Sequence, residues 1–218
     1  MITGGQSVMN PWPMIGGVAN VMLLKNEYVR PNHGMPGDLI LLTKPLGTQP
    51  AVNMKQKLDK EPSWNPPEIS HEKIQIAYDL AIESMAHLSK DTAKLLKKYD
   101  SHGATDVTGF GVMGHLQNLA SAQEGEVDLY IDALPIIEGC ERKVTGMHDF
   151  KVPEGFSAET SGGIMTMMHP MNAREFIKEA LEEYGQTTWL IGQVTKGSRR
   201  AILKQDVQII PVTESFLK

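Results

Sequence analysis

The stretch "ATDVTGFGVMGHL", residues 104–116, holds one acidic residue, Asp106, three glycines at positions 109, 111 and 114, and His115. Gly109 to Gly114 reads G-x-G-x-x-G, the spacing of a dinucleotide-binding turn, and Asp132 stands near where the companion acid of that motif belongs. Such a turn must follow directly from a buried apolar strand. Here the preceding "KKYDSHGATDVT" (97–108) is polar, helical at its start and turn-like at its end. The dinucleotide assignment loses. What remains is a helix entered through glycines, with Thr105, Asp106 and Thr108 just before it. Free N–H groups and the positive end of the helix dipole attract anions, phosphates included. Asp106 can oppose such phosphates across Mg²⁺, which is commonly held by one or two carboxylates plus phosphate oxygens. On the residues alone, capping the helix or steadying a turn is the more ordinary role.

Composition narrows the classes around that stretch. A chain of 218 residues, 41% hydrophobic and 22% charged, is an ordinary globular sequence with enough length to bury a sizeable core. A net charge of −5, with no long block of Lys or Arg, argues against a nucleic-acid footprint. No apolar run approaches the roughly 20 residues needed to cross a bilayer, and no signal peptide is evident, so a cytoplasmic setting is expected. Cys140 is the single cysteine, which excludes a disulfide framework and any multi-cysteine metal site within the chain. Four of the 13 methionines fall in "GIMTMMHPM" (163–171), which reads as a buried strand filled by flexible side chains rather than a soft-metal site.

Along the chain, strands and helices are interspersed. An apolar run from Val18 to Leu24 predicts a buried strand, and "NEYVRPNHGMPGD" (26–38) a linker, with a domain boundary near residue 33. "DLILLTK" (38–44) predicts a strand, followed by a helix over about 48–58 and a Pro-rich loop, "KEPSWNPPE" (60–68). Ile74, Ala77, Tyr78, Ala81, Met85 and Leu88 form a helical stripe behind Ser70 as N-cap, and "SKDTAKLLKKY" (89–99) either continues that helix or starts another. A helix over 115–123, a strand "VDLYID" (127–132) and a short helix over 134–143 with Pro135 in its first turn come next. Strand "GIMTMM", a helix opened by Pro170, and three strands, "TTWLIGQVTK", "RRAILK" and "VQIIPV", complete the pattern. Together these predict an α/β (α+β) layered domain with a mixed sheet and flanking helices.

Five segments share a further property. "TGGQSVMNPWPMIGGVA" (3–19), "GDLILLTKPLGTQ" (37–49), "ATDVTGFGVMGHLQNLA" (104–120), "ETSGG" (159–163) and "WLIGQVTKG" (189–197), in this order, resemble selenophosphate synthetase (selenide, water dikinase). That family belongs to the superfamily of aminoimidazole ribonucleotide synthetase. The resemblance implies the C-terminal domain of that fold over residues 33–218, with residues 1–32 as the last strand and Gly-Gly turn of an N-terminal ATP-binding domain. It implies a transferase and kinase activity in selenoprotein biosynthesis: ATP, selenide and water give selenophosphate, AMP and phosphate, with Mg²⁺ required. Carried over by position, Gly4, Gly5 and Gln6, with Ser7 beside them, contact ATP, and Asp106 binds Mg²⁺. A Gly-Gly turn suits the first role, since absent Cβ atoms let backbone N–H groups approach phosphate oxygens.

The same resemblance assigns lesser duties elsewhere. Lys44 can reach a phosphate but is better read as structural, bonded to nearby carbonyls. "ETSGG" serves turn and packing, and His115 is a helix-surface or packing residue rather than a base. The family's reactive Cys or selenocysteine, its neighbouring Lys and further Mg²⁺-binding aspartates lie in its N-terminal domain, so no catalytic residue is expected in this chain, and Cys140 lies too far downstream to be the nucleophile. The expectations are a longer parent enzyme, homodimeric, and weak binding without turnover by these 218 residues alone. Competing expectations are a related ATP-dependent synthetase or kinase with another acceptor, such as thiamine monophosphate, and a non-catalytic paralogue serving as an interaction module. "NPW" after "TGGQS" and the form "TDVTGFGVMGH" favour the selenium branch.

Overall fold

Strand β1, Leu39–Leu42, lies inside the sheet and sends alternate side chains to opposite faces, as a period of two requires. Ile40 and Leu42 enter one hydrophobic core and Leu41 another, so both faces of the sheet are covered. The computed structural model describes residues 11, 16–24 and 27–217. Six strands follow the order β2–β4–β1–β5–β3–β6, where β2 is Gly103–Asp106, β3 Val127–Ile137, β4 Ile164–Met168, β5 Trp189–Lys196 and β6 Ala201–Val212. Every neighbouring pair is antiparallel except β3 with β6. The expected mixed sheet with flanking helices is what forms.

The larger core joins the sheet to helices α1 (Thr48–Lys60), α2 (His71–Ala86) and α4 (Gly111–Ser121) through Met54, Ile74, Ala77, Val112 and Leu116. The smaller core packs Leu95 and Leu96 of α3 (Lys90–Lys98) and Ala173, Phe176 and Ala180 of α5 (Pro170–Tyr184) against Leu41 and Met168. Met165, Met167 and Met168 are fully buried, as the strand reading of the methionine segment requires. Ser70 caps α2 by accepting the Lys73 N–H at 3.3 Å. That helix ends at Ala86, and His87 turns to an extended backbone before α3 begins, so two helices occupy 71–98 and Leu88 is exposed rather than part of the buried stripe.

Four sequence expectations need correction. Residues 18–24 form no strand and are exposed, with Val18 at 89% and Met22 at 98%; this apolar run joins none of the six strands of the sheet. Residues 134–137 extend β3 instead of opening a helix. Strand β5 pairs only with Val127–Ile131, and beyond that point the same side of β3 carries the isolated bridge Leu46–Ile136, to which Pro135 contributes its carbonyl, accepting the Leu46 N–H at 2.8 Å, rather than an N–H. "RRAILK" and "VQIIPV" are one strand, β6, broken in register between Ile131 and Ala133 of its partner. "GATD" is a strand, not a turn; its polar character fits its place at the sheet edge.

Candidate functional site

Asp106 ends edge strand β2 opposite Ile164 of β4, and its side chain is exposed. The next residue turns inward. Val107 is fully buried, and its N–H donates to the Gly163 carbonyl at 2.9 Å. Thr108 then acts as a hub for the loop. Its N–H donates to His115 Nε2 at 3.0 Å, and its carbonyl accepts from the N–H groups of Gly111 at 3.1 Å and Glu159 at 3.0 Å. His115 is therefore a buried acceptor that holds the loop, which agrees with its packing assignment: its Nε2 lone pair is already engaged by a backbone donor.

The N-terminus of α4 departs from the expectation of an open anion site. Gly111 takes φ +69°, a left-handed backbone suited to glycine. Its N–H and that of Met113 are taken by the carbonyls of Thr108 and Gly155. Residues 155–157 lie across the helix end so closely that a Cβ on Gly111 would sit 2.5 Å from the Gly155 oxygen. Backbone oxygens thus take two of the first N–H groups that a phosphate would use. Nor does Asp106 cap this helix, since the N-cap residue is Phe110 and it makes no side-chain cap bond. Phe110 and Phe156 stand exposed on either side of this closed end, at 68% and 61%.

Two buried ionisable groups flank the loop from behind. Lys44, 1% exposed, follows β1 and donates from Nζ to the carbonyls of Ser84 (2.8 Å), His87 (2.7 Å) and Ser161 (2.8 Å). Burial pulls its ammonium down to about 8. The lysine is structural, bonded to carbonyls, and is not directed at a phosphate. Glu159, 5% exposed, accepts from the N–H groups of Gly47 (2.7 Å) and Thr48 (2.9 Å) and from Thr48 Oγ1 (2.5 Å). Burial pushes its carboxyl up to about 7, against the opposing pull of these three donors. Sequence reasoning gave the segment of Glu159 turn and packing duty and no role for its carboxyl. One signal was available: α1 begins after Gly47 with no side-chain cap and no acidic residue in its first turn, so its orphan N–H groups need an acceptor from elsewhere.

The other predicted positions separate cleanly. Gly4, Gly5, Gln6 and Ser7 lie outside the described residues. Cys140 is buried, and burial, with Glu159 and Glu141 nearby, raises its thiol well above the usual range, which suits an inert core residue. Among the described residues no three His, Cys, Asp or Glu side chains are grouped to hold a metal, so Asp106 brings a single carboxylate. That carboxylate accepts no hydrogen bond among the described residues and faces solvent, which fits one carboxylate of a shared Mg²⁺ shell. A groove of about 430 Å³ between α3 and α5, lined by Lys98, Tyr99 and Glu179, contains none of these residues. No helix among the described residues is long and apolar enough to cross a membrane.

Comparison with known proteins fits this arrangement. Residues 35–204 match the family of AIR synthase related proteins, C-terminal domain. The chain belongs to that family. It is 42% identical over 216 residues to "Selenide, water dikinase 2" of Homo sapiens, covering 97% of the chain and 48% of that protein. It is also 42% identical over 212 residues to "Selenide, water dikinase" of Dictyostelium discoideum, covering 96% of the chain and 58% of that protein. The chain thus spans about half the length of the curated relatives it matches. Among solved structures, thiamine-monophosphate kinase from Stenotrophomonas maltophilia K279a superposes with a TM-score of 0.58 at 16% identity, covering 82% of the chain and 54% of that protein. This last likeness is one of fold.

Proposed function

We propose that the chain serves an enzyme that makes selenophosphate from selenide, ATP and water, releasing AMP and inorganic phosphate. In this reading residues 33–218 are the C-terminal domain, and residues 1–32 close an ATP-binding domain in which Gly4, Gly5, Gln6 and Ser7 meet the nucleotide. The observation that carries the proposal is similarity to selenide, water dikinases along 97% of the chain, with Asp106 exposed at the end of β2 on an otherwise locked loop. Asp106 would supply one carboxylate to Mg²⁺, and the ion would neutralise phosphate charge as it develops. The remaining magnesium ligands, the nucleophile and the dimer contacts belong in this reading to an N-terminal domain, and the working compartment is the cytoplasm.

The test joins Met1–Lys218 to the upstream half of the Dictyostelium relative and follows ³¹P NMR signals of ATP, AMP and selenophosphate with and without selenide. Selenide-dependent formation of selenophosphate is expected, reduced by about 100-fold in Asp106→Asn. A folded chimera that converts no ATP in the presence of selenide would overturn the proposal.

A further inference from the structure

The residues "ETSGG" (159–163) run between two parts of the molecule that are distant in sequence. On one side they meet the turn from β1 into α1. There the Glu159 carboxyl is bound by Gly47 and Thr48, the Thr160 N–H donates to Thr48 Oγ1 at 3.1 Å, and the Ser161 carbonyl accepts from Lys44. On the other side they carry the loop after β2. The Glu159 N–H donates to the Thr108 carbonyl, and the Gly163 carbonyl accepts from Val107. Gly162 packs against the same residue so tightly that a Cβ would sit 2.0 Å from the Val107 oxygen.

We propose that Lys44 and Glu159 are positioning residues for Asp106, acting through the 159–163 segment to fix the place where β2 ends. The inference rests on the reading of Asp106 as a magnesium ligand, and the geometry explains why two costly buried groups would serve it. An edge strand of four residues, paired on one side only, has little to hold its last residue. Ser161 sits at φ +49°, a left-handed backbone that a serine keeps only where its surroundings over-determine it. The Lys44 ammonium supplies that constraint. Its three N–H bonds reach Ser161 and the two carbonyls at the end of α2, so the segment is tied to a rigid helix. Glu159 does the same toward α1. Asp106 is thereby held by a chain of bonds from Lys44 to Ser161, from Gly163 to Val107, and so to its own backbone.

The experiment is amide NMR on the 218-residue chain, combining hydrogen exchange with a Mg²⁺ titration of wild type, Lys44→Met and Glu159→Gln. Lys44→Met keeps the bulk and removes the donors. Glu159→Gln is the gentler variant, replacing one acceptor oxygen with an amide that faces the Thr48 N–H, and it keeps the test alive if Lys44→Met fails to fold. The expected result is exchange about tenfold faster at the Val107 amide, the size of one lost buried hydrogen bond, with Ile40 and Ile131 in the central sheet unchanged. Several-fold more Mg²⁺ should then be needed to move the Asp106 resonance. Acceleration spread evenly through the sheet, or none at Val107, would overturn the positioning role and leave these groups as general stabilisers. Local loosening at Val107, with wild-type Asp106 indifferent to Mg²⁺, would support the positioning role while removing the metal assignment.

Discussion

Helices α1 and α4 both begin at a glycine with a left-handed backbone, Gly47 at φ +110° and Gly111 at φ +69°, and neither has a side-chain cap from its own N-cap residue. They satisfy their first N–H groups in opposite ways. At α1 a side chain from a distant segment, Glu159, occupies the site where an external anion would bind. At α4 peptide oxygens of Thr108 and Gly155 do so, and no acid is involved. The difference bears directly on function. A helix dipole argument places phosphate attraction at the glycine-rich start of α4, yet that end is closed. The exposed acid at the end of β2, Asp106, is what faces outward, and under the proposed function attraction for phosphate in this region would come from a cation held there.

The largest effect that would break the comparison is expected at Glu159. Glu159→Ala leaves two backbone N–H groups and a hydroxyl buried without an acceptor and opens a small void, a loss of about 4 kcal/mol in urea unfolding. If the loss is below about 1 kcal/mol, the α1 terminus does not depend on its internal carboxylate, and the two helix ends are alike.

Titration sharpens the same contrast. The Glu159 carboxyl is raised to about 7 in the folded chain from the ordinary 4.5, so between those values the native state holds a proton that the unfolded state has released. Its contribution is fully present below about pH 4.5 and falls as pH rises, by about 3 kcal/mol once pH passes 7. Asp128 runs the other way. Its carboxyl is held down by the N–H groups of Ser198 and Arg200, so its stabilisation is lost toward acid. The clean measure is the stability of wild type minus that of Glu159→Gln, which cancels Asp128 and should decline steadily from pH 4.5 to 7. A flat difference would mean that Glu159 is ionised throughout.

At α4 the corresponding break is Gly111→Ala. A methyl group there meets the Gly155 and Ser157 oxygens at 2.5 and 2.8 Å and must adopt a left-handed backbone, a cost of about 2 kcal/mol in the same unfolding assay. An Ala variant as stable as wild type would show that residues 155–157 can lift away and that the α4 end is open after all.

Periodicity made most of the fold legible. The stripe Ile74, Ala77, Ala81, the alternation around Ile40, and Pro170 at a helix start all lie within a few residues of what they predict. What escaped depended on partners far away in sequence. Residues 134–137 looked helical because Pro135 suits a first turn, but the strand is decided by β6, more than a helix and two strands later. Residues 18–24 looked like a strand from apolar content alone, and nothing local says whether a neighbouring strand exists. The site divides in the same way. Asp106 stood out as the acid before a glycine-rich helix start. Lys44 was legible as a structural lysine bonded to carbonyls, but Glu159 was not, since a buried acid and a surface acid are spelled identically, and only the turn at Gly47 reveals why it is buried.

The smallest expected change in stability belongs to Asp106, and that smallness is informative. Its carboxylate is exposed and bonds to none of the described residues, so Asp106→Asn should alter unfolding free energy by no more than about 0.5 kcal/mol. Lys44, Glu159, Gly111 and His115 contribute to the frame, and their substitution is registered first as lost stability. Asp106 alone should separate the two readouts, with unfolding unchanged and the Mg²⁺ response of the neighbouring amides abolished. A clear destabilisation in Asp106→Asn would place this carboxylate in the frame as well, as the turn-steadying acid that the residues alone favoured, and the contrast between a closed helix end and an outward-facing acid would then lose its functional meaning.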